Sequence, residues 1–387
     1  MISPQSAFLP ARLPTLDGLR AIAILLVVPQ HLNLLATPSD AGTHVLIAAL
    51  DRGWLGVQLF FVLSGLLITG ILLDSRDAQN YFGSFYMRRV LRIFPLYFAT
   101  LIFIFVLLPA LGLLPGFIKR DPTVELSYWL FFSNWYGPFH QGQGSMPHLW
   151  SLAVEEQFYL LWPFLLHRRS TQSVMRLCLT IAVASLVLRT AMLLAGSPTE
   201  AVYTFLVSRM DALALGGFAA AAFRTPSIAA WALHHRRSLL YGGIVLLLAG
   251  AVISRGYYFS NTMTLTLGYT LLAVAFALLV ATGVAADRLG TSAWAAVLRS
   301  TVLRKVGQYS YAMYILHVPL HALVGQPILR ALGLLSKDSA IVAIFYIVIG
   351  TVVTYLVAAA SFHFLEVHFL RLKDRFSPAT VIPPASR

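Results

Sequence analysis

Residues 16–35 read LDGLRAIAILLVVPQHLNLL. The stretch has the apolar content of a helix that crosses a bilayer, which takes about twenty residues. It also carries Asp17 and Arg20 near one end and His31 near the other. Ionisable side chains inside a bilayer cost on the order of several kcal/mol unless they face a cavity or a partner. A rise of 1.5 Å per residue sets Arg20 and His31 roughly 16 Å apart along the axis. Such a helix implies a polar path inside a bundle. Pro29 removes one backbone hydrogen bond and is expected to kink the helix beside the histidine.

The rest of the chain repeats the apolar theme. Its 387 residues are 58% hydrophobic and 11% charged, with a mean hydropathy of +0.76. A soluble domain carries about a quarter charged residues, so the composition describes an integral, all-α membrane protein embedded in a lipid bilayer. A net charge of +13 raises nucleic acid as a partner. The basic residues form short clusters between apolar runs, with no separate basic domain, and that excludes it. Cys178 is the single cysteine, so no internal disulfide forms. No metal site is expected. The first segment has the short apolar core of a signal peptide, with small residues in LLATPS. Asp17 is foreign to such a leader, and the topology needs this helix.

Apolar runs fall at 16–36, 55–73, 93–114, 148–166, 177–196, 202–222, 239–254, 262–282, 309–332 and 340–366. They predict about ten transmembrane helices, with segments 1–15 and 371–387 flanking a membrane domain at 16–370. Placing the N-terminus inside puts 20 of the 28 Lys and Arg residues on inner loops and 6 on outer ones. By the positive-inside rule both termini are then cytoplasmic. The long outer loop at 115–147 is rich in aromatics and is expected to lie at the interface.

Depth along the helices groups the buried polar residues. The first, fourth and sixth segments place His31, Glu155, Arg209 and Asp211 in one slab of the outer half. Ser151 lies one turn from Glu155. Arg209 and Asp211 are two apart and do not face each other on a helix, so each needs a partner elsewhere. They read either as buried ion pairs holding the bundle or as a binding site. A histidine with a carboxylate at matching depth is a catalytic candidate. At the other end, the stretch YMRRVLRIFPLY carries Arg88, Arg89 and Arg92, which precede or open the third helix. Arg89 and Arg92 share a face, and paired guanidiniums suit phosphate groups. The plainer reading is an inner-facing anchor.

These stretches together resemble the acyltransferase 3 family of membrane O-acyltransferases. The matching motifs are LDGLRAIAILLV with its following histidine, GVQLFFVLSGLLI, FYMRRVLRIFPLYF, HLWSLAVEEQFYLLWP, SRMDALALGG, GQYSYAMYILHVPL and FLEVHFLRL. They run in family order from residue 16 to about 372. The resemblance assigns Arg20 and His31 to the acyl-transfer motif, Arg89 and Arg92 to the Arg-x-x-Arg pair, and Ser151 and Glu155 to the Ser-x-x-x-Glu pair. Gln58 departs from the usual aspartate, VVPQH from a more apolar approach to the histidine, and Val367 with His368 from the usual tail.

The resemblance implies an acyl group, most often acetyl, passing from acyl-CoA to a hydroxyl of a carbohydrate or lipid-linked glycan. The setting would be a bacterial inner membrane. Acyl-CoA is then a co-substrate and no cofactor is bound. Arg89, Arg92 and Arg20 would hold the phosphates, and the pantetheine arm spans the distance to His31. The histidine would act as general base or carry the acyl group, with Glu155 orienting it. No esterase-like segment follows in these residues, so relatives that pass the group to a fused domain are not the expected pattern. A transporter or flippase is the rival class, and a membrane receptor a third.

Overall fold

The computed structural model describes residues 13–35, 41–113, 118, 121–139, 144–290, 292–334 and 339–378. Ten helices of 17 residues or more organise these residues: α1 (Pro14–His31), α2 (Leu55–Asp74), α3 (Tyr81–Ile102), α4 (Trp150–Leu166), α5 (Thr171–Leu194), α6 (Leu206–Ala222), α7 (Arg236–Ile253), α8 (Tyr269–Leu289), α9 (Thr301–Leu320) and α10 (Ala340–Ser361). Eight of these helical segments are long and apolar enough to cross a membrane. Helices satisfy all backbone hydrogen bonds within the segment, which is what hydrocarbon demands. The chain is therefore an all-α, multi-pass membrane protein.

The two long helices outside that group are α1 and α4. Helix α4 has only 17 residues and includes Glu155 and Glu156. Helix α1 is diluted by Asp17, Arg20, Gln30 and His31. Their neighbours compensate. Helix α1 packs on α2, α8 and α9, and α4 packs on α2 and α6. These two helices carry Arg20, His31, Ser151 and Glu155 of the candidate site.

Close crossings set the geometry. A Cβ at Gly65 would collide with the Leu213 carbonyl, and one at Gly216 with the Val62 carbonyl. Only glycine lets α2 and α6 approach so nearly. A Cβ at Gly307 would meet the Asp17 carbonyl in the same way, which draws α9 against α1. At the far end of this pair His31 faces His317, so α1 and α9 run in the same direction. Single π turns interrupt or extend four of the helices: Phe103–Leu107, Thr264–Gly268, His321–Gly325 and Phe362–Glu366. Such turns recur near functional sites.

Two connections differ from expectation. The aromatic part of the long loop does more than lie at an interface. Its short helix Pro122–Trp129 buries Tyr128, and Asn134 is buried beyond it. Tyr97 of α3 donates to the Tyr128 carbonyl (2.8 Å), and Trp135 donates to Gln157 of α4 (3.0 Å). Leu126, Leu130 and Phe132 stay exposed. The described part of the tail folds back over α3. Asn80 donates to the Ser377 carbonyl (3.0 Å) and Ser84 to the Phe376 carbonyl (2.7 Å).

Candidate active site

The arginines of α3 lie within the helix, two turns past its start, rather than at its opening. From there Arg88, Arg89 and Arg92 line a cavity of about 330 Å³ together with Arg20 of α1 and Lys373 of the tail. The same cavity is also lined by Ser64, Ser151, Glu155, Tyr159 and Tyr314. Five residues singled out from the sequence thus share one chamber: Arg20, Arg89, Arg92, Ser151 and Glu155. Its lining thus combines cations with hydroxyls and a carboxylate. Apolar walls from Val57, Phe60, Leu63 and Leu67 join them.

A second, wider cavity of about 830 Å³ shares Arg20, Arg88 and Arg92 with the first, and adds Arg224, Arg304 and Lys305. Arg224 is committed to Asp74 through two of its nitrogens. Among the described residues, Arg88, Arg92, Arg304 and Lys305 form no ion pair with a carboxylate. Asp17 and Asp74 also line this space, but four cations with no direct ion pair around it leave an excess of positive charge that favours a polyanionic ligand.

Glu155 is fixed by hydroxyls. Ser64 donates to its Oε1 (2.5 Å). The Ser64 proton being used there, Tyr159 must donate to Ser64 Oγ (2.8 Å). Arg89 lies over the Tyr159 ring at 5.6 Å from its centre. The structure does not join Glu155 to His31. That histidine, the last residue of α1, donates from Nδ1 to the Val27 carbonyl (3.0 Å). A carbonyl only accepts, so the ring is the Nδ1–H tautomer and Nε2 presents a bare lone pair.

What surrounds His31 is a pair of histidines that depth along the sequence did not single out. His317 lies 4.9 Å from it between ring centres, His148 lies 6.4 Å away, and the two are 4.9 Å from each other. His317 donates from Nδ1 to the Tyr314 carbonyl (2.7 Å), and His148 from Nε2 to the Ile315 carbonyl (3.3 Å). By the same reasoning each retains one bare nitrogen, and those two atoms are buried without a partner among the described residues. The sequence did hold a signal: both histidines lie inside the quoted motifs HLWSLAVEE and YILHVPL. No cluster suited to a metal ion occurs among the described residues.

Arg209 and Asp211 lie outside the cavity. They do not pair with each other, as their spacing required. Asp211 accepts from Arg189 of α5 (2.8 Å) and from Thr270 of α8 (3.0 Å). Arg209 donates to Gln58 of α2 (2.6 Å) and lies 4.2 Å over the Tyr269 ring. Gln58, the departure from the usual aspartate, therefore gives this guanidinium a neutral acceptor. These contacts tie four helices together, as the bundle-holding reading expects. Removing one partner of a buried pair costs about 3–5 kcal/mol. Asp211→Asn is accordingly expected to lower the thermal stability of the detergent-purified protein by several degrees while leaving the substrate KM of the folded fraction unchanged. Unchanged stability with a raised KM would return Asp211 to a binding role.

A family model for an acyltransferase domain, acyltransferase 3, matches residues 13–363. The chain is 28% identical over 379 residues to O-acetyltransferase OatA of Staphylococcus aureus (strain NCTC 8325 / PS 47), covering 94% of this chain and 58% of that protein. It is 29% identical over 391 residues to the putative peptidoglycan O-acetyltransferase YrhL of Bacillus subtilis (strain 168), covering 92% and 54%. A peptidoglycan O-acetyltransferase OatA of Listeria monocytogenes is 29% identical over 205 residues, covering 49% and 30%. The chain thus spans little more than half the length of the first two relatives. No solved structure matches it.

Proposed function

The chain belongs to the acyltransferase 3 family, and from that premise we propose that it transfers an acyl group from acyl-CoA to a hydroxyl of a carbohydrate. The observation that carries this reading is the graded cavity pair. The wide basic space lined by Arg20, Arg88, Arg92, Arg304 and Lys305 suits the phosphorylated nucleotide of the donor. The narrower, apolar-walled cavity that opens from it suits the neutral pantetheine arm and its thioester. With both termini cytoplasmic, the basic end opens where coenzyme A is found.

His31 is the group for the chemistry. Its Nε2 takes the proton of the acceptor hydroxyl as the oxygen attacks the thioester carbon. The carbon–sulfur bond breaks, and the thiolate leaves with the proton that His31 releases. The alternative route uses the same nitrogen as nucleophile: Nε2 attacks the thioester carbon and the CoA thiolate leaves, then the hydroxyl oxygen attacks the acyl carbon, the acyl–nitrogen bond breaks, and the hydroxyl proton passes to the thiolate. Either way the Nδ1–H bond to Val27 holds the reactive tautomer. Glu155, Ser64 and Tyr159 keep the thioester end of the cavity polar and ordered.

The names of the relatives make acetyl and peptidoglycan glycan the first donor and acceptor to test. Purified protein supplied with acetyl-CoA and peptidoglycan fragments is expected to release free CoA thiol and to yield glycan heavier by one acetyl group. Glycan movement across proteoliposomes without CoA release would instead favour the transporter class and end this reading.

A further inference from the structure

His31 does not line the cavity, whereas Tyr314 lines it and also lies against His148 and His317 of the histidine cluster. We propose that Tyr314, latched to Ser151, is a movable partition that separates the acyl-donor cavity from the histidine cluster and decides whether a bound acyl group meets the acceptor or water. The inference rests on the acyl-transfer reading above.

Tyr314 belongs to both compartments. It lines the donor cavity beside Ser151. Its ring also lies 5.5 Å from His148 and 5.7 Å from His317 between centres, and His317 is in turn 4.9 Å from His31. His31 itself does not line the cavity. The tyrosine hydroxyl is 2.5 Å from Ser151 Oγ and 2.7 Å from the His148 carbonyl, and Ser151 Oγ is 3.4 Å from the same carbonyl. Whichever hydroxyl donates to the other, both protons are used among these three groups. Neither is turned toward a ligand in the cavity, as a hydroxyl that stabilises a thioester oxyanion would be. The arrangement is a latch on one bulky ring.

The hydroxyl is held by Ser151 of α4 and by His148 in the 3-10 turn that leads into it, and Phe60 of α2 meets the ring edge-on at 6.4 Å between centres. A change of the Tyr314 side-chain rotamer would break the hydroxyl contacts, and the cavity that the ring lines gives it a space to turn into. Opening would join the cavity to the bare nitrogens of the histidine cluster. Closure would keep the thioester from water arriving by that route. The partition accordingly governs fidelity: an acyl-enzyme system that leaks hydrolyses its donor, forming free acid and CoA thiol with no acceptor consumed.

The test uses the full chain in detergent with acetyl-CoA, and compares CoA release without acceptor to acyl transfer with acceptor. Tyr314→Phe keeps the ring and loses the hydroxyl. Ser151→Ala removes the other half of the latch from a different helix. Both are expected to raise the ratio of hydrolysis to transfer by about tenfold or more. An unchanged ratio in folded variants overturns the partition. Parallel loss of both reactions in folded Tyr314→Phe overturns it too, because the phenol would then serve the chemistry itself. Absence of both reactions in the unmodified chain counts instead against the acyltransferase reading, so the two failures are told apart.

Discussion

His31→Ala is expected to lower acyl transfer by about 10² to 10⁴-fold, the usual contribution of a positioned general base, with the protein still inserted and monodisperse. The position makes the experiment clean. His31 ends its helix, is only partly buried and makes one hydrogen bond, to the Val27 carbonyl. Its loss removes little packing. The neighbouring His317 is the contrast, since it is fully buried and held by two carbonyls; truncation there opens a cavity and costs stability as well as rate. If His31 acts through Nε2, added imidazole should restore part of the lost turnover in the alanine variant, because the vacated space admits the same ring. Near-normal turnover of purified His31→Ala would remove the residue from the reaction. An inactive variant that also fails to fold would place His31 among the residues that hold the bundle, which its single hydrogen bond argues against.

The sequence made the helices legible for a simple reason. Hydrocarbon forces each backbone segment to satisfy its own hydrogen bonds, so an apolar run of spanning length has few options. Helices α2 and α7 illustrate it, with ends within three residues of the apolar runs. Helix α1 is less simple: its run suggests a span to residue 36, yet the helix stops at His31, two residues beyond Pro29. The histidine is therefore at a helix terminus, where its ring can turn back to the Val27 carbonyl.

The site was half legible, because depth along an axis can be counted and rotation about it cannot. Counting along the helices sets Glu155, Arg209 and Asp211 at about the depth of His31. Helix α4 turns Glu155 toward the arginine-lined cavity, whereas α6 turns Arg209 toward Gln58 of α2 and Asp211 toward Arg189 of α5. His148 and His317 were hidden for the same reason, lying in recognisable motifs without a sign that three rings converge. Lys373 was out of reach in another way. It comes to the cavity only because the tail folds over α3, a contact between residues nearly 300 positions apart that no local pattern records.

Arg89→Ala/Arg92→Ala is expected to raise the donor KM by at least about tenfold while the acceptor KM changes little. Charge-assisted hydrogen bonds contribute about 1.5–3 kcal/mol each, and every 1.4 kcal/mol is a factor of about ten in affinity. The two arginines differ in what they reach. Arg92 lines both cavities, whereas Arg89 lines only the narrower one and lies over the Tyr159 ring. Arg92→Ala alone should therefore carry more of the loss if the nucleotide phosphates occupy the wider space. Arg92→Lys should rescue only in part, because lysine keeps the charge and loses the planar fork that grips a phosphate through two donors. The arginines could instead serve only to orient the protein. Lysine would then rescue fully, and alanine would alter insertion rather than KM. Competition separates the subsites further. Inhibition by the nucleotide 3′,5′-bisphosphate part of the donor should weaken in Arg92→Ala and in Arg304→Ala, which lines only the wider cavity. It should remain nearly intact in Arg89→Ala. Equal donor KM in the unmodified chain and in a correctly inserted double variant would return Arg89 and Arg92 to the role of topology signals, and leave Arg304 and Lys305 as the place to look for the donor's phosphates.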